Sequence, residues 1–553
     1  MNAPAADPHD TWPALEKDVE RLIAAIEATP LPANIWALVR GAIAANASKP
    51  MWTFFEESEG GTATYAQVGQ RVDRTAAALY AAGVRQGTHV AVMLPNIPQF
   101  PTTWLAIARL GAVMVPVNVN YTGRELHYVL TDSDATFLVI HEDSLPAYAA
   151  LGAEAPLPPE GLLVVGEGKG TGRSLARLEA DAPALPAGLP EPGIDDLVNI
   201  QYTSGTTGFP KGCMLTHRYW LTLSLVAEMR GGKDEQATNI LVAQPYFYMD
   251  PQWLTLMAMR AGGQIFVARR ASSTRFMDWV RTYRIHYCLF PEIVYQQPPN
   301  PLDGDNSLKR VSIFGFDKER HADLERRYNT IARESFGMTE VGSALFLPRE
   351  ATHMVGSGSC GRPSPFREAK IVDADGAEVP QGEVGELCIR GPGIMLGYYN
   401  KPEANASSYF GDWFRTGDLF WKDSQGFHYI VGRLKDMIRR SGENIAAREV
   451  EAVLREHPGV LEAAAVGVKD PARGEEVKAY LVLRPGVTED EAPPQSIFDH
   501  CSTRLAAFKI PRFIEYRESL PKTPSEKIAK QKLVAEKTDL RAGSFDRVTG
   551  AWL

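Results

Sequence analysis

Three short apolar runs, 89–94 (HVAVML), 112–117 (AVMVPV) and 136–140 (TFLVI), alternate with stretches whose apolar residues recur every three to four positions. A strand that is apolar at every position presents neither face to water. Helices inserted between such strands carry the chain back to its starting edge, which leaves the strands parallel. The spacing predicts helices over 66–84, 98–110 and 123–131. The same grammar returns with strands near 198–202, 239–243 and 264–268 and helices near 216–229 and 252–260. Layered α/β subdomains are expected through this part of the chain.

After about residue 361 the pattern changes. Residues 370–430 hold short strands broken at Asp375-Gly376, Gly382, Gly385 and Gly391, which is hairpin punctuation and predicts a β-rich subdomain. Beyond 434, a helix over 448–456 and strands over 463–468 and 479–483 predict a small α+β unit. The expected fold is therefore α/β. A large N-terminal domain, 1–434, contains the layered subdomains and the β-rich stretch 361–434, and a small mobile α+β domain follows over 435–553. Trp12, Leu15, Val19, Leu22, Ile23 and Ile26 fall on one helical face, so 12–28 reads as an amphipathic helix. Its polar face mixes Glu16, Asp18, Glu20 and Arg21, which suits docking on its own domain better than a lipid surface.

The balance of 58 basic against 67 acidic side chains gives a formal charge of −9, which argues against a nucleic-acid partner. Cys213, Cys288, Cys360, Cys388 and Cys501 stand singly, without metal-ligand spacing, as expected for reduced thiols in a cytoplasmic protein. The N-terminus lacks the basic-then-apolar pattern of a signal peptide, and no apolar run is long enough to insert in a membrane.

The chemistry concentrates first in 202–212 (YTSGTTGFPKG), directly after an apolar strand. Thr203, Ser204, Thr206 and Thr207 supply hydroxyl donors, Gly205 and Gly208 let the backbone approach an anion, and Lys211 adds a positive charge. Such a loop can wrap a polyphosphate. The Gly-Lys-Ser/Thr order of the Walker loop is absent.

This stretch resembles the phosphate-binding loop of the adenylate-forming superfamily, which includes acyl-CoA synthetases, peptide-synthetase adenylation domains and luciferases. The resemblance extends over roughly 50–530, because further family motifs follow in order. Residues 335–340 (SFGMTE) are similar to the family's Tyr-Gly-x-Thr-Glu. This implies that Ser335, Phe336, Gly337 and Thr339 lie along the nucleotide and that Glu340 holds Mg²⁺, a hard cation that takes oxygen ligands. Phe336 replaces the usual Tyr and brings no hydroxyl. In 413–418 (WFRTGD) the resemblance gives Asp418 the ribose hydroxyls, and an ionised carboxylate suits them because it only accepts. In 432–445 (GRLKDMIRRSGENI) it implies that Arg433 touches the ribose, that Lys435 is the hinge of the small domain, and that Gly442 and Glu443 meet the pantetheine arm of CoA. Ala447 stands where the family usually has Pro. In 520–528 (LPKTPSEKI) the second lysine, Lys527, corresponds to the lysine that enters for adenylation, with Glu526 in place of the usual Gly.

The resemblance thus implies an AMP-forming acid–thiol ligase using ATP, CoA and Mg²⁺. A small-molecule carboxylic acid attacks the α-phosphorus of ATP, pyrophosphate leaves, and CoA takes the acyl group with release of AMP. Lys211, Thr339, Glu340 and Lys527 would stabilise the developing charge. The acyl pocket is expected between 245–251 (PYFYMDP) and 313–316 (IFGF), lined by Tyr246, Tyr248, Asp250, Gly315 and Phe316. The bulk of Tyr246, Tyr248, Phe314 and Phe316 favours a small or short-chain acid. This region is most similar to crotonobetaine/carnitine–CoA ligases, where an Asp at the place of Asp250 would hold a polar or cationic tail. A medium- or long-chain fatty acid, an aryl acid, or delivery to a carrier protein remain the alternatives. The oligomeric state stays open, and a homodimer would be unsurprising.

Overall fold

The computed structural model describes residues 8–55, 61–167, 172–203, 210–232, 235–440, 443–471, 473–505, 507–523 and 527–553, without side chains for 8–14, 435, 443 and 444. The chain forms two compact units. One comprises the chain up to Thr203 with Lys211–Ala369 and Ile389–Phe414, and the other comprises Lys370–Cys388 and Arg415–Leu553.

In the first unit, a seven-stranded sheet runs in the order Arg173–Ser174, Leu162–Val165, Phe137–His141, His89–Met93, Val113–Pro116, Leu197–Thr203, Lys211–Thr216. All neighbours are parallel except the last pair, as the uninterrupted apolar runs require. A second sheet places Pro50–Phe54, Gln264–Val267, Asn239–Val242, Tyr287–Leu289, Arg310–Ile313 and Ile331–Met338 side by side. These six strands are parallel, and the hairpin strand Gly342–Phe346 then turns antiparallel on Ile331–Met338.

Local chemistry sets the helix ends. Helix Tyr65–Ala82 starts at Thr64, whose hydroxyl accepts from the Gln67 amide while the Gln67 side chain returns to the Thr64 amide, and it stops at Gly83 with φ +115°. Helix Pro8–Glu27 docks on the same unit: the Arg362 guanidinium meets Glu16 at 2.5 Å, and the Phe366 amide donates to Glu27 at 2.8 Å. Helices His217–Met229 and Met249–Ala261 are buried almost all round, which is how helices without a polar face behave when covered on every side.

In the second unit, Met437–Arg440 and Glu443–Ala446 pair as a hairpin, and Val460–Asp470 pairs antiparallel with Gly474–Leu483. Ile438, Val450, Leu454, Ala463, Val477 and Phe498 share its core. The long hairpin exceeds the expected 463–468 and 479–483 because its charged residues are matched rather than solvated. Buried Glu476 accepts from Arg440 Nε at 2.6 Å, and Lys478, fully buried, donates to Glu515 at 2.6 Å. Strands Trp413–Lys422 and His428–Arg433 pair antiparallel in the β-rich stretch. All five cysteines are buried, and among the described residues no helix is long and apolar enough to cross a membrane.

His217, fully buried at the start of its helix, accepts the Ile35 amide at Nδ1, 3.2 Å away, and burial lowers its pKa to about 4. The ring is neutral in the folded protein and binds a proton more readily unfolded, so stability is full above the ordinary histidine range near ~6.5 and falls as pH drops toward 4. The urea midpoint of the first unit should fall between pH 6.5 and 4, by about 3 kcal/mol in stability if His217 is the only contributor, and His217→Gln should flatten that fall. An unchanged pH profile in the variant would exclude this source.

Candidate active site

The 202–212 motif is borne by a hairpin. Leu197–Thr203 and Lys211–Thr216 run antiparallel with Thr203 opposite Lys211, and the Thr203 hydroxyl lies 3.4 Å from the Lys211 carbonyl oxygen. Ser204, Gly205, Thr206, Thr207 and Gly208, between them, lie outside the described residues. Tyr202 at the head of the motif donates to Asp132 at 2.8 Å, and Lys401 pairs with the same carboxylate.

A further segment crosses this hairpin. The Leu396 amide donates to the Met214 carbonyl at 2.9 Å, the Met214 amide to Gly397 at 2.9 Å and the Tyr399 amide to Gly212 at 2.8 Å. That pairing sets the Tyr398 ring beneath Lys211, whose ammonium sits 3.9 Å from the ring centroid. The Tyr398 hydroxyl donates to Glu340 Oε1 at 2.8 Å, and the Glu340 carbonyl accepts the Met395 amide at 2.8 Å.

Glu340 itself is presented by a second hairpin. Ile331–Met338 and Gly342–Phe346 face each other across a tight connection at 339–341. Gly337 is dictated by that approach, since a Cβ there would lie 2.6 Å from the Gly342 carbonyl oxygen. The Glu340 carboxylate is therefore a buried anion with a phenol donor on one oxygen and a cation above the ring of that phenol. Burial and the Glu340 charge push the Tyr398 phenol far above the usual tyrosine range, so it remains a donor. The neighbouring Cys213 thiol is pushed up by burial and by the same carboxylate. Thr339 turns its hydroxyl to the Met249 sulfur at 3.8 Å. Ser335 points into the interior, 3.5 Å from the Arg230 guanidinium, which also holds Tyr287 at 3.0 Å and Ser312 at 2.5 Å.

The expected acyl-pocket residues divide. Tyr246 does not line an open pocket: it is fully buried, bonded to Thr255 at 2.9 Å, with its ring against Phe54 and Phe100. Phe316 likewise packs in the core, edge-on to Tyr295. Both are large rings with aromatic neighbours on the interior side, and packing against them takes up the side chains. Phe314, one step before Gly315, is 52% exposed instead. The Gly315 and Phe316 amides donate to the Glu334 carboxylate at 2.7 and 3.2 Å, and Gly315 adopts φ +63°. Tyr248 and Asp250 remain partly exposed at the start of helix Met249–Ala261, where Asp250 Oδ1 accepts the Trp253 indole N–H at 3.0 Å.

Sequence reasoning missed the supports of this segment. Gln252, fully buried, donates to the Tyr246 and Tyr248 carbonyls at 3.2 and 3.1 Å and accepts from Asn199 at 2.9 Å. Gln201 donates to the Phe247 carbonyl at 2.8 Å, and Asn96 accepts the Tyr246 amide at 2.8 Å. Asn199 and Gln201 alternate on one face of an otherwise apolar strand, a signal that could have flagged them. Tyr398 carried no such signal, since only the fold joins it to Glu340.

In the second unit, Asp418 and Arg433 are cross-strand partners, with Arg433 Nε 2.6 Å from the buried Asp418 Oδ1. Lys435 lies in the turn Leu434–Asp436. Gly442 lies outside the described residues, and Glu443 begins the strand Glu443–Ala446. Lys527 is exposed on a short hairpin in which the Thr523 amide donates to the Lys527 carbonyl at 2.7 Å and the Lys527 amide to the Thr523 hydroxyl at 3.2 Å. Glu526 lies outside the described residues.

The family of AMP-binding enzymes matches residues 42–399, and the AMP-binding enzyme C-terminal domain matches 449–527. The chain belongs to the AMP-binding enzyme family. This AMP-binding enzyme is 33% identical over 496 residues to crotonobetaine/carnitine–CoA ligase of Salmonella typhimurium, covering 87% of this chain and 95% of that protein. It is similar to ATP-bound MatB from Rhodopseudomonas palustris, with TM-score 0.80, 26% identity, and 91% and 98% of the two chains covered. A benzoate CoA ligase from Burkholderia xenovorans matches with TM-score 0.80 at 25% identity, covering 90% and 99%. The AMP-binding enzyme is accordingly an adenylate-forming acyl-CoA ligase of α/β fold, and ATP and CoA are the substrates of its family.

Removing the Tyr398 hydroxyl leaves a buried carboxylate short of one donor. Tyr398→Phe should lower kcat/KM for ATP about tenfold, the effect of ~1.4 kcal/mol for a hydrogen bond to a charged group, with the fold retained by circular dichroism. Wild-type kinetics would show that the bond does not matter to the nucleotide.

Proposed function

We propose that this acyl-CoA ligase activates a small, polar carboxylic acid, with a cationic or hydrogen-bond-donating tail held by Asp250. The observation that carries the reading is the adjacency of Asp250 to Met249, whose sulfur lies 3.8 Å from the Thr339 hydroxyl. Asp250 stands in the first turn of its helix, where the dipole interacts favourably with acidic side chains, and the Trp253 indole fixes its direction. The relative's name, crotonobetaine/carnitine–CoA ligase, agrees with such a tail. A second reading, an aryl acid, draws on exposed Phe314 and on the similarity to a benzoate CoA ligase.

In this proposal Thr203, Lys211 and the residues between them bind the ATP phosphates, with Thr339 beside them. Asp418 and Arg433 take the ribose, Gly442 and Glu443 the pantetheine arm, and Lys527 neutralises charge as carboxylate and α-phosphate meet. The division 1–434 and 435–553, pivoting at Lys435, is kept as the functional one. Among the described residues no group of three or more His, Cys, Asp or Glu could hold a metal by itself. One carboxylate, Glu340, with the remaining ligands supplied by phosphate and water, is the arrangement Mg²⁺ favours, so the residues fit a cation that arrives with ATP.

The test is AMP release, with and without CoA, over short, branched, hydroxy, cationic and aryl acids. Cationic or polar short acids should be preferred, and Asp250→Asn should reduce that preference about tenfold, as expected for loss of a charged contact. Lys527→Ala should slow adenylation by about 10²-fold. Preference for neutral aryl acids, unaltered in Asp250→Asn, would replace the first reading with the second.

A further inference from the structure

Three residues after Lys527, the short helix Lys530–Ala535 begins. The Lys530 side chain is largely buried and its ammonium faces two carboxylates: Glu451 Oε1 at 2.5 Å and Asp436 Oδ2 at 3.8 Å. Glu451 belongs to helix Ala447–Arg455 and is itself oriented by the Ala465 amide, which donates to Oε1 at 2.7 Å. Asp436 closes the turn Leu434–Asp436, next to Lys435.

We propose that Lys530 is a positioning residue that couples the lysine-bearing hairpin to the turn at 434–436, so that the two move as one body. The inference rests on the roles given above to Lys527 and Lys435. The described residues of the hairpin are firmly rooted. Lys522 and Ile528 pair as a bridge, the Ala529 amide donates to the Pro521 carbonyl at 2.7 Å, and Leu520, Ile528 and Leu533 pack with Val466 and Tyr480. Lys522 is paired with Glu462 on the long strand. These contacts fix the hairpin to the sheet, and Lys530, directly after it, reaches to the turn.

An ion pair with little exposure keeps more of its coulombic attraction than one in open solvent, and a cation shared by two carboxylates also relieves their mutual repulsion. A change of backbone conformation at Lys435 moves Asp436 relative to Lys530, and the longer arm of the bridge yields first. Lys530 therefore biases the turn toward the conformation in which its two carboxylates are shared, and with it the presentation of Lys527.

The experiment compares wild type with Lys530→Met, Lys530→Arg, Asp436→Asn and the double variant Lys530→Met/Asp436→Asn, all in the full chain. Backbone hydrogen exchange over 434–437 and 521–529 is one readout, and carboxylate-dependent ATP–pyrophosphate exchange against CoA thioester formation from preformed acyl-adenylate is the other. Lys530→Met should speed hydrogen exchange in both segments together and lower pyrophosphate exchange about fivefold to tenfold with thioester formation changed less than about twofold, and Lys530→Arg should restore both. The double variant should be no worse than Lys530→Met alone. Faster exchange in 521–529 with 434–437 unchanged, or equal loss in the two half-reactions, or additive effects in the double variant, would overturn the coupling. If Lys527→Ala left pyrophosphate exchange intact while the two segments still responded together to Lys530→Met, the coupling would stand and the reading of Lys527 would fall.

Discussion

A buried carboxylate is expensive unless its surroundings answer its charge, and Glu340 organises its unit around that requirement. The Tyr398 hydroxyl satisfies one oxygen, and the ring of the same tyrosine carries the Lys211 ammonium on its face. Two hairpins and a crossing segment are thereby tied at one point: the hairpin of the glycine- and hydroxyl-rich motif, the hairpin of the Thr-Glu motif, and residues 395–399. In the proposed function these two side chains, one cationic and one anionic, serve a metal-bearing triphosphate. The Thr339 hydroxyl of the same unit faces the Met249 sulfur, one residue before Asp250, to which the proposed function assigns the substrate tail.

Much of this was legible in the sequence because the strongest constraints are local. The runs at 89–94 and 136–140 are strands because nothing in them tolerates water on either side, and the structure has His89–Met93 and Phe137–His141 as parallel neighbours. The helix expected over 66–84 is Tyr65–Ala82, started by Thr64 and ended by Gly83. The order of the nucleotide motifs was visible, and with it the family. What was not legible depends on distant partners. Tyr398 gains its meaning from Glu340 across 58 residues of chain. Tyr246 and Phe316 looked like pocket walls, but their burial is decided by Phe54, Phe100 and Tyr295, which no local pattern connects to them. The strand expected over 479–483 begins earlier, at Gly474, because Arg440 and Glu515 supply the charges opposite to buried Glu476 and Lys478.

The second unit follows the same logic with different means. Its hairpins are held by matched charges on an apolar core, and Arg433 answers the buried Asp418 across a strand pair. Charge matching of this kind is directional, so it fixes register and orientation where apolar packing alone would leave neighbouring registers close in energy. Lys530 belongs to this class, and its two acceptors lie on a helix and on the turn that carries Lys435.

The central claim is chemical: the acid is activated by its own oxygen attacking the α-phosphorus of ATP. Turnover of a carboxylic acid labelled with ¹⁸O in its carboxylate, followed by mass spectrometry of the nucleotide and phosphate products, tests this directly. The account predicts label in AMP, with none in pyrophosphate. Label in inorganic phosphate with ADP as the nucleotide product would mean an acyl-phosphate route and would contradict it.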